Sequence, residues 1–189
     1  TEDAGHLNAP GDVAVAPDGT VYVADTGNQR IQRFGAAGSA PTLIRPSADG
    51  MAAGPIPRLA IDLPAGGGEP LLFAADPANH RVLRLSRTGQ TLGAFGQRGQ
   101  AGSLADGAFL DLSGLAFGGG RLHAADRAQG RVQRFDAGGA FQDSYGSPGA
   151  GAGQLTAPAG IGLDGPGRAW VADPEGGRVQ VFDGGGRAL

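Results

Sequence analysis

The stretch VYVADTGNQRIQRF at residues 21–34 decides the fold, because close variants of it return three more times along the chain. The later copies read LLFAADPANHRVLRL (71–85), RLHAADRAQGRVQRF (121–135) and RAWVADPEGGRVQVF (168–182). Each copy has an aspartate followed five residues later by an arginine, and successive aspartates are 51, 50 and 47 residues apart. The pairs are Asp25 and Arg30, Asp76 and Arg81, Asp126 and Arg131, and Asp173 and Arg178. A period of about 40–50 residues with strand-like content is the sequence signal of a β-propeller.

Each repeat unit is predicted to form one blade of four β-strands. In the first unit the strands are GDVAVA (11–16), TVYVAD (20–25), RIQRFG (30–35) and PTLIR (41–45). The units cover about 7–50, 56–98, 110–150 and 155–189 of a single domain over residues 1–189. The last unit is short at its outer strand, where only GRAL (186–189) remains.

The predicted strands carry apolar residues on both sides, as expected for a sheet packed between two neighbours. In the first strand of each unit a small residue lies between two larger ones, as Ala14 does between Val13 and Val15. Three residues before each anchor aspartate a large ring recurs: Tyr22, Phe73, His123 and Trp170. We therefore predict an all-β propeller of four four-stranded blades.

The composition fits a globular domain with many turns. Apolar residues make up 40% of the chain, charged residues 17%, and 37 glycines and 13 prolines fall between the short apolar runs. The net charge of −3 disfavours nucleic-acid binding, because such domains are usually basic. The absence of cysteine excludes disulfides, thiolate metal sites and a thiol nucleophile.

Two features of the sequence concern the cellular location of the protein. No stretch approaches the roughly 18 apolar residues that a membrane-spanning helix needs, so any membrane association is expected through a partner or a preceding segment. The chain starts at Thr1 rather than Met, which indicates a cleaved export signal or a trimmed N-terminus. We expect an extracytoplasmic protein, periplasmic or secreted.

The repeat units resemble NHL repeats. The first copy, NAPGDVAVAPDGTVYVADTGNQRIQRF (8–34), fits the pattern almost fully, and the linker between such repeats is similar to YGSPGAGAGQLTAP (145–158). The resemblance implies a propeller but says little about activity, because the family includes scaffolds, RNA binders, sensor domains and a few enzymes.

The number of units departs from the family pattern. NHL propellers usually have six blades, whereas this chain has four units. The chain is therefore a closed four-bladed ring, an arc of a larger ring, or half of an assembled one. An open arc would expose an apolar face that a partner must cover.

Two rows of arginines repeat with the blades. The aspartate–arginine pairs are expected to tie each hairpin together, since a bidentate guanidinium suits a partly buried carboxylate and a specific binding site rarely repeats with the fold. A second row, Arg33, Arg84 and Arg134, ends at Val181. This row is interpreted as a solvated stripe or as a docking surface for an acidic partner.

The sequence offers no assembled catalytic or metal centre. The resemblance implies zinc-binding histidines for an amidating lyase, but the chain has only His6, His80 and His123, and His123 replaces the rings of other units. It implies Glu, Asn and Asp ligands for a lactonase, but glutamate occurs only at Glu2, Glu69 and Glu175. The run GSPGAGAG (146–153) lacks the lysine of a phosphate loop. We predict no catalytic residue, no metal ligand and no cofactor.

The favoured function is a non-catalytic protein–protein interaction or scaffold module, as an accessory subunit of a larger, membrane-associated complex. Its partner would bind a loop face or an exposed blade edge. The loop residues that vary between units are the predicted binding residues: Asn28, Gln29, Asn79, His80, Arg127, Gln129 and Glu175. The alternative is a metal-dependent propeller enzyme of the lactonase or amidating-lyase type, and RNA binding is less favoured.

Overall fold

A computed structural model of the chain describes residues 3–35, 40–63, 68–100 and 105–189. These residues form short β-strands, together with two single 3₁₀ turns at Thr26–Asn28 and Pro77–Asn79. The main sheets are antiparallel, and each packs against the next along the chain. The predicted four-bladed β-propeller is confirmed.

Blades 1 and 2 are complete sheets of four strands paired in chain order. Blade 1 consists of β1 (Asp12–Val15), β2 (Val21–Asp25), β3 (Arg30–Phe34) and β4 (Thr42–Ile44). A ribbon of β5 (Ser47–Ala48) and β6 (Met51–Ala52) leads to the next blade. Blade 2 consists of β7 (Leu59–Asp62), β8 (Leu71–Asp76), β9 (Arg81–Ser86) and β10 (Thr91–Phe95).

Blade 3 is also four-stranded, whereas blade 4 has three strands. A parallel ribbon of β11 (Gln97–Arg98) and β12 (Ala108–Phe109) precedes blade 3. Blade 3 consists of β13 (Leu112–Gly118), β14 (Arg121–Asp126), β15 (Arg131–Asp136) and β16 (Phe141–Tyr145). A second parallel ribbon, of β17 (Ser147–Pro148) and β18 (Gln154–Leu155), precedes blade 4. Blade 4 consists of β19 (Gly160–Leu163), β20 (Ala169–Asp173) and β21 (Arg178–Phe182). The C-terminal stub makes a single bridge, from Ala188 to Phe182.

Three apolar clusters fill the interfaces between consecutive blades. We call the side of a blade that points to the preceding blade its upstream face, and the opposite side its downstream face. The downstream face of blade 1 packs Tyr22 and Ile31 against the upstream face of blade 2. Phe73 of blade 2 stacks on Phe117 of blade 3, with ring centroids 5.3 Å apart. Blade 3 packs Val132 and Tyr145 against blade 4.

The outermost faces of the first and last blades stay open. The upstream face of blade 1 is formed by Val13, Val15, Val21, Val23 and Phe34. Its Val13 and Val15 are 56% and 53% exposed. The downstream face of blade 4 is formed by Trp170, Ala172, Val179 and Val181. Its Trp170 and Val179 are 44% and 59% exposed, although the equivalent Phe73 and Val132 inside the propeller are 0% exposed.

Candidate functional site

The hairpin between the second and third strands of each blade is organised around the anchor aspartate. In blade 1, Asp25 is buried and accepts hydrogen bonds from the Asn8 backbone N–H (2.7 Å) and from Arg30 Nε (2.6 Å). The side-chain amides of Asn28 and Gln32 donate to the same carboxylate. Burial raises the pKa of Asp25, but these donors outweigh burial and hold it below its usual range.

The same network ties the segment before the blade to the hairpin in blades 2 and 4. Arg81 Nε donates to Asp76 (2.8 Å), and its other nitrogens donate to the carbonyls of Ala48 (2.9 Å) and Met51 (3.0 Å). In blade 4, Arg178 Nε donates to Asp173 at 3.3 Å. The backbone N–H groups of residues 156 and 157 also donate to Asp173. Each carboxylate therefore satisfies backbone donors that a turn would otherwise leave unpaired.

Blade 3 builds this network with an additional glutamine. Asp126 accepts from the backbone N–H groups of Leu110 (2.9 Å) and Asp111 (3.1 Å). Arg131 donates to the Gln129 side-chain oxygen at 3.1 and 2.7 Å. Gln129 is buried, so its side chain belongs to the hairpin interior.

The residue before each hairpin arginine has left-handed backbone geometry. The φ angles are 51° at Gln29, 54° at His80, 59° at Gly130 and 63° at Gly177. Glycine adopts this region without cost, whereas an ordinary side chain does so at a cost of about 1–2 kcal/mol. Blades 1 and 2 therefore hold large polar side chains where the turn itself favours glycine.

The predicted binding residues lie on four separate hairpins at the same end of the propeller. Three of them are used within the fold, because Asn28 and Asn79 donate to their anchor aspartates and Gln129 binds Arg131. Of the others, His80 is half-buried, and three side chains are exposed: Gln29, Arg127 and Glu175. In the described part of the chain, no three His, Asp or Glu side chains come together as a group that could hold a metal ion. A binding role for these residues stays a prediction.

Two arginines of the second row, Arg84 and Arg134, reach the next blade. Arg84 donates to the carbonyl of Ala137 in blade 3 (3.3 Å), and Arg134 donates to the carbonyl of Gly184 in blade 4 (2.7 Å). Arg134 is buried, where it also pairs with Asp143 and lies over the Tyr145 ring. A solvated stripe is therefore wrong for Arg134, because its guanidinium is used to hold blade 4.

A cleft of about 390 Å³ opens between blades 3 and 4. Its lining includes His123, Arg121, Arg134, Leu163, Asp164 and the glycine turns at 118–119 and 165–167. His123 Nδ1 forms a 2.9 Å hydrogen bond with the Tyr145 hydroxyl. Burial, followed by the nearby Arg134 and Arg121, lowers the pKa of His123 to about 4. The imidazole is therefore neutral at pH 7, so that one of its ring nitrogens is a hydrogen-bond donor and the other an acceptor.

One residue of this cleft, His123, was predicted from the sequence to be a packed ring. His123 packs as a buried ring, and its role at the cleft wall was not foreseen because Tyr145 is 22 residues away in the sequence. Burial raises the pKa of the Tyr145 hydroxyl, with Asp143 adding to the rise and Arg134 opposing it.

No helix within the described ranges is long and apolar enough to cross a membrane.

Comparisons with known proteins agree with the repeat and the fold. Residues 7–34 match the family model of the NHL repeat. A search of curated proteins finds no match. Similar solved structures include a catalytically inactive virginiamycin B lyase from Staphylococcus aureus with quinupristin, at TM-score 0.69 and 14% identity, covering 96% of this chain and 54% of that chain.

Two further structures extend the range of similar propellers. A gluconolactonase from Xanthomonas campestris has TM-score 0.68 and 22% identity, covering 97% of this chain and 62% of that chain. The WD40 repeats of RRP9 have TM-score 0.70 and 20% identity, covering 98% of this chain and 51% of that chain. This chain thus spans a little over half the length of these propellers, and at such identities the likeness shows the fold alone.

The protein is therefore a β-propeller with an NHL repeat in its first blade. The similar structures include enzymes and WD40 repeats. A fold of this kind carries many functions, so the function has to be argued from the surfaces of this chain.

Proposed function

We propose that the protein is a non-catalytic interaction module that serves as an accessory subunit of a larger, membrane-associated and extracytoplasmic complex. The observation that carries this proposal is the open downstream face of blade 4. There Trp170 and Val179 are exposed at positions where blades 1, 2 and 3 bury their side chains completely or almost completely. Exposed apolar side chains that form a continuous face are a common mark of a protein-binding surface.

The open faces suit a protein partner better than a small ligand. Trp170 lies on β20, which is paired with β19 on one side and on the other with β21, the strand that carries Val179, so the backbone of the face is formed before any partner binds. A rigid face loses little conformational entropy on association. Tryptophan is also among the residues that most often dominate binding energy at interfaces.

The hairpin end of the propeller offers a second contact area. Gln29 and His80 keep a left-handed backbone at the site where blades 3 and 4 have glycine. A side chain retained at a strained position is a reason to assign it a role. With Arg127 and Glu175, these residues would adjust specificity around an apolar contact made elsewhere.

The test is isolation of the protein from its source under gentle conditions, with the native mass measured and co-migrating chains identified. A discrete complex well above 18.7 kDa is expected, and Trp170→Glu should remove it. Leu92→Glu is the matched control, because Leu92 is a similarly exposed apolar residue on an outer strand. A complex that survives Trp170→Glu, or a species of one chain only, would contradict the proposal.

A second candidate function, catalysis or small-molecule binding, is favoured by the cleft beside His123. Its neutral imidazole lines a cavity and is fixed by Tyr145. The enzymes among the similar folds, a lyase and a gluconolactonase, make this candidate worth testing. A lactone and streptogramin panel with His123→Gln as control would support it if turnover were lost in the variant, and would reject it if no compound were turned over.

A further inference from the structure

The two open faces have the composition of the two sides of an internal blade interface. On the upstream side, Val13 and Val15 of blade 1 occupy the positions of Leu59 and Ile61 in blade 2, as the pairing to the second strand shows. On the downstream side, Trp170 and Val179 of blade 4 occupy the positions of Phe73 and Val82 in blade 2. The positions that are exposed at the two ends are buried or half-buried wherever two blades meet.

The side chains on the two open faces also complement each other in size. Within the propeller, the ring on the second strand of one blade meets the second large residue on the first strand of the next blade, as Phe73 meets Phe117. At the open faces these positions hold Trp170 and Val15. The largest ring therefore faces the smallest partner, which keeps the combined volume close to that of a buried pair, as dense packing requires.

The downstream face of blade 4 also lacks the arginine that reaches the next blade from blades 2 and 3. In blades 2 and 3 the third strand sends Arg84 and Arg134 across to the next blade. Blade 4 has Val181 at this position, opposite Trp170 in the sheet. This position on the downstream face of blade 4 is therefore uncharged, as is the row of valines that it would meet on blade 1. Beside it, Arg168 lies over the Trp170 ring at 5.8 Å and pairs with Asp164.

We propose that the two faces bind each other between two copies of this chain, so that blade 4 of each copy packs on blade 1 of the other. The two contacts are related by a twofold axis and close the ring without leaving either face exposed. Two copies of four blades make eight blades, which is within the range of closed propellers. This inference rests on the proposed use of the open faces and names the partner as a second copy.

The test is the mass of the purified chain by light scattering and native mass spectrometry between about 1 µM and about 1 mM, where a micromolar complex would be seen. The expected mass is twice 18.7 kDa. Trp170→Glu and Val15→Glu should each weaken the dimer at least 100-fold, and Leu92→Glu should leave it unchanged. Circular dichroism and thermal unfolding establish that each variant is folded.

A mixture of variants tests the geometry. The chain has no cysteine, so Val15→Cys and Trp170→Cys introduce single reactive sites. Under oxidation, cross-linked dimers should form in the mixture of the two variants and only weakly in either variant alone. Cross-links formed equally well by Trp170→Cys alone would mean that like faces pair, and would overturn the proposal, as would assemblies that grow beyond two copies.

The outcome separates this inference from the proposed function. A purified chain that is monomeric over the whole range overturns the second copy as partner. If the gently isolated protein nevertheless migrates with other chains through Trp170, the interaction module stands. A dimer of the purified chain with no other chain in the isolated material supports the second copy and contradicts the accessory subunit.

Discussion

Asp25 and its equivalents hold the hairpin of each blade together. The Asp25 carboxylate and the Arg30 guanidinium are both buried, with 2.6 Å between Arg30 Nε and Asp25 Oδ2. Burying two charges is costly, and the arrangement holds because further donors satisfy the carboxylate. The pairs therefore fix the hairpin geometry more than they add net stability.

Asp25→Asn is expected to destabilise the protein by about 3–5 kcal/mol, because it leaves the buried Arg30 without its carboxylate. Urea unfolding at pH 7 would measure the loss. Asp18→Asn is the control, since Asp18 and its partner Arg87 are both exposed to solvent, and little change is expected there. Equal effects of the two substitutions would contradict the buried-pair interpretation.

His123 makes stability depend on pH. Its pKa is lowered to about 4 in the folded protein from the ordinary 6.5, so the unfolded chain binds the proton more readily. The contribution of neutral His123 is complete above pH 6.5 and is lost as the pH falls from 6.5 to about 4. A difference of this size corresponds to up to about 3 kcal/mol.

His123→Gln should therefore show a smaller loss of unfolding free energy between pH 7 and pH 4.5 than the parent protein. Glutamine does not titrate and can still bond to Tyr145. Urea unfolding at several pH values would measure the two slopes, and the aspartates that titrate at lower pH are common to both proteins. Parallel curves for the two proteins would show that His123 is not the group responsible.

At the scale of single elements, the hairpin between the second and third strands has the same backbone turn in all four blades, with different residues in it. All four hairpins use a left-handed residue before the arginine, although the residue type differs. Of the two glycines at this position, Gly130 is the crowded one, because an added Cβ would lie 2.5 Å from the Leu155 carbonyl oxygen. Blade 3 thus requires glycine at position 130, both because there is no room for a side chain and because the φ angle is positive.

Gln29→Gly and His80→Gly are expected to stabilise the protein by about 1 kcal/mol each, because they relieve left-handed strain. For a chain of this size that corresponds to a rise in Tm of about 2–4 °C. Gln29→Ala is the control and should bring no gain, since alanine meets the same strain. A fall in Tm with Gln29→Gly would mean that the glutamine side chain makes a stabilising contact.

For the whole molecule, stability is expected to vary from blade to blade. Blades 2 and 3 are covered on both faces, whereas blades 1 and 4 are covered on one face only. Repeat proteins open from units with fewer neighbours. Blade 4 also lacks the fourth strand found in the other blades, so β21 is the edge of its sheet.

Amide hydrogen exchange should therefore be slowest in β8, β9, β14 and β15, and faster in β20 and β21. The Trp170→Glu variant is the appropriate sample, because it removes the proposed contact between copies. Mass spectrometry of peptic fragments would give the rates. Uniform protection across the four blades would show that the molecule opens as one unit.

The sequence alone determined the architecture of this protein. The aspartate–arginine repeat and the alternation of residues such as Val13, Ala14 and Val15 predict the blades, because these signals are local to each unit. The shortened fourth blade was also evident from the stub at 186–189. The turn chemistry identified the hairpins on which the candidate loop residues lie.

Only the tertiary structure decided how the blades meet. It placed Arg134 between blades 3 and 4, joined His123 to Tyr145 and left Trp170 and Val15 open on opposite ends. These contacts join residues that are distant in sequence, and they depend on how far each blade turns from the last. A repeat pattern encodes the faces of a blade, but the curvature of the assembled chain decides which faces are covered.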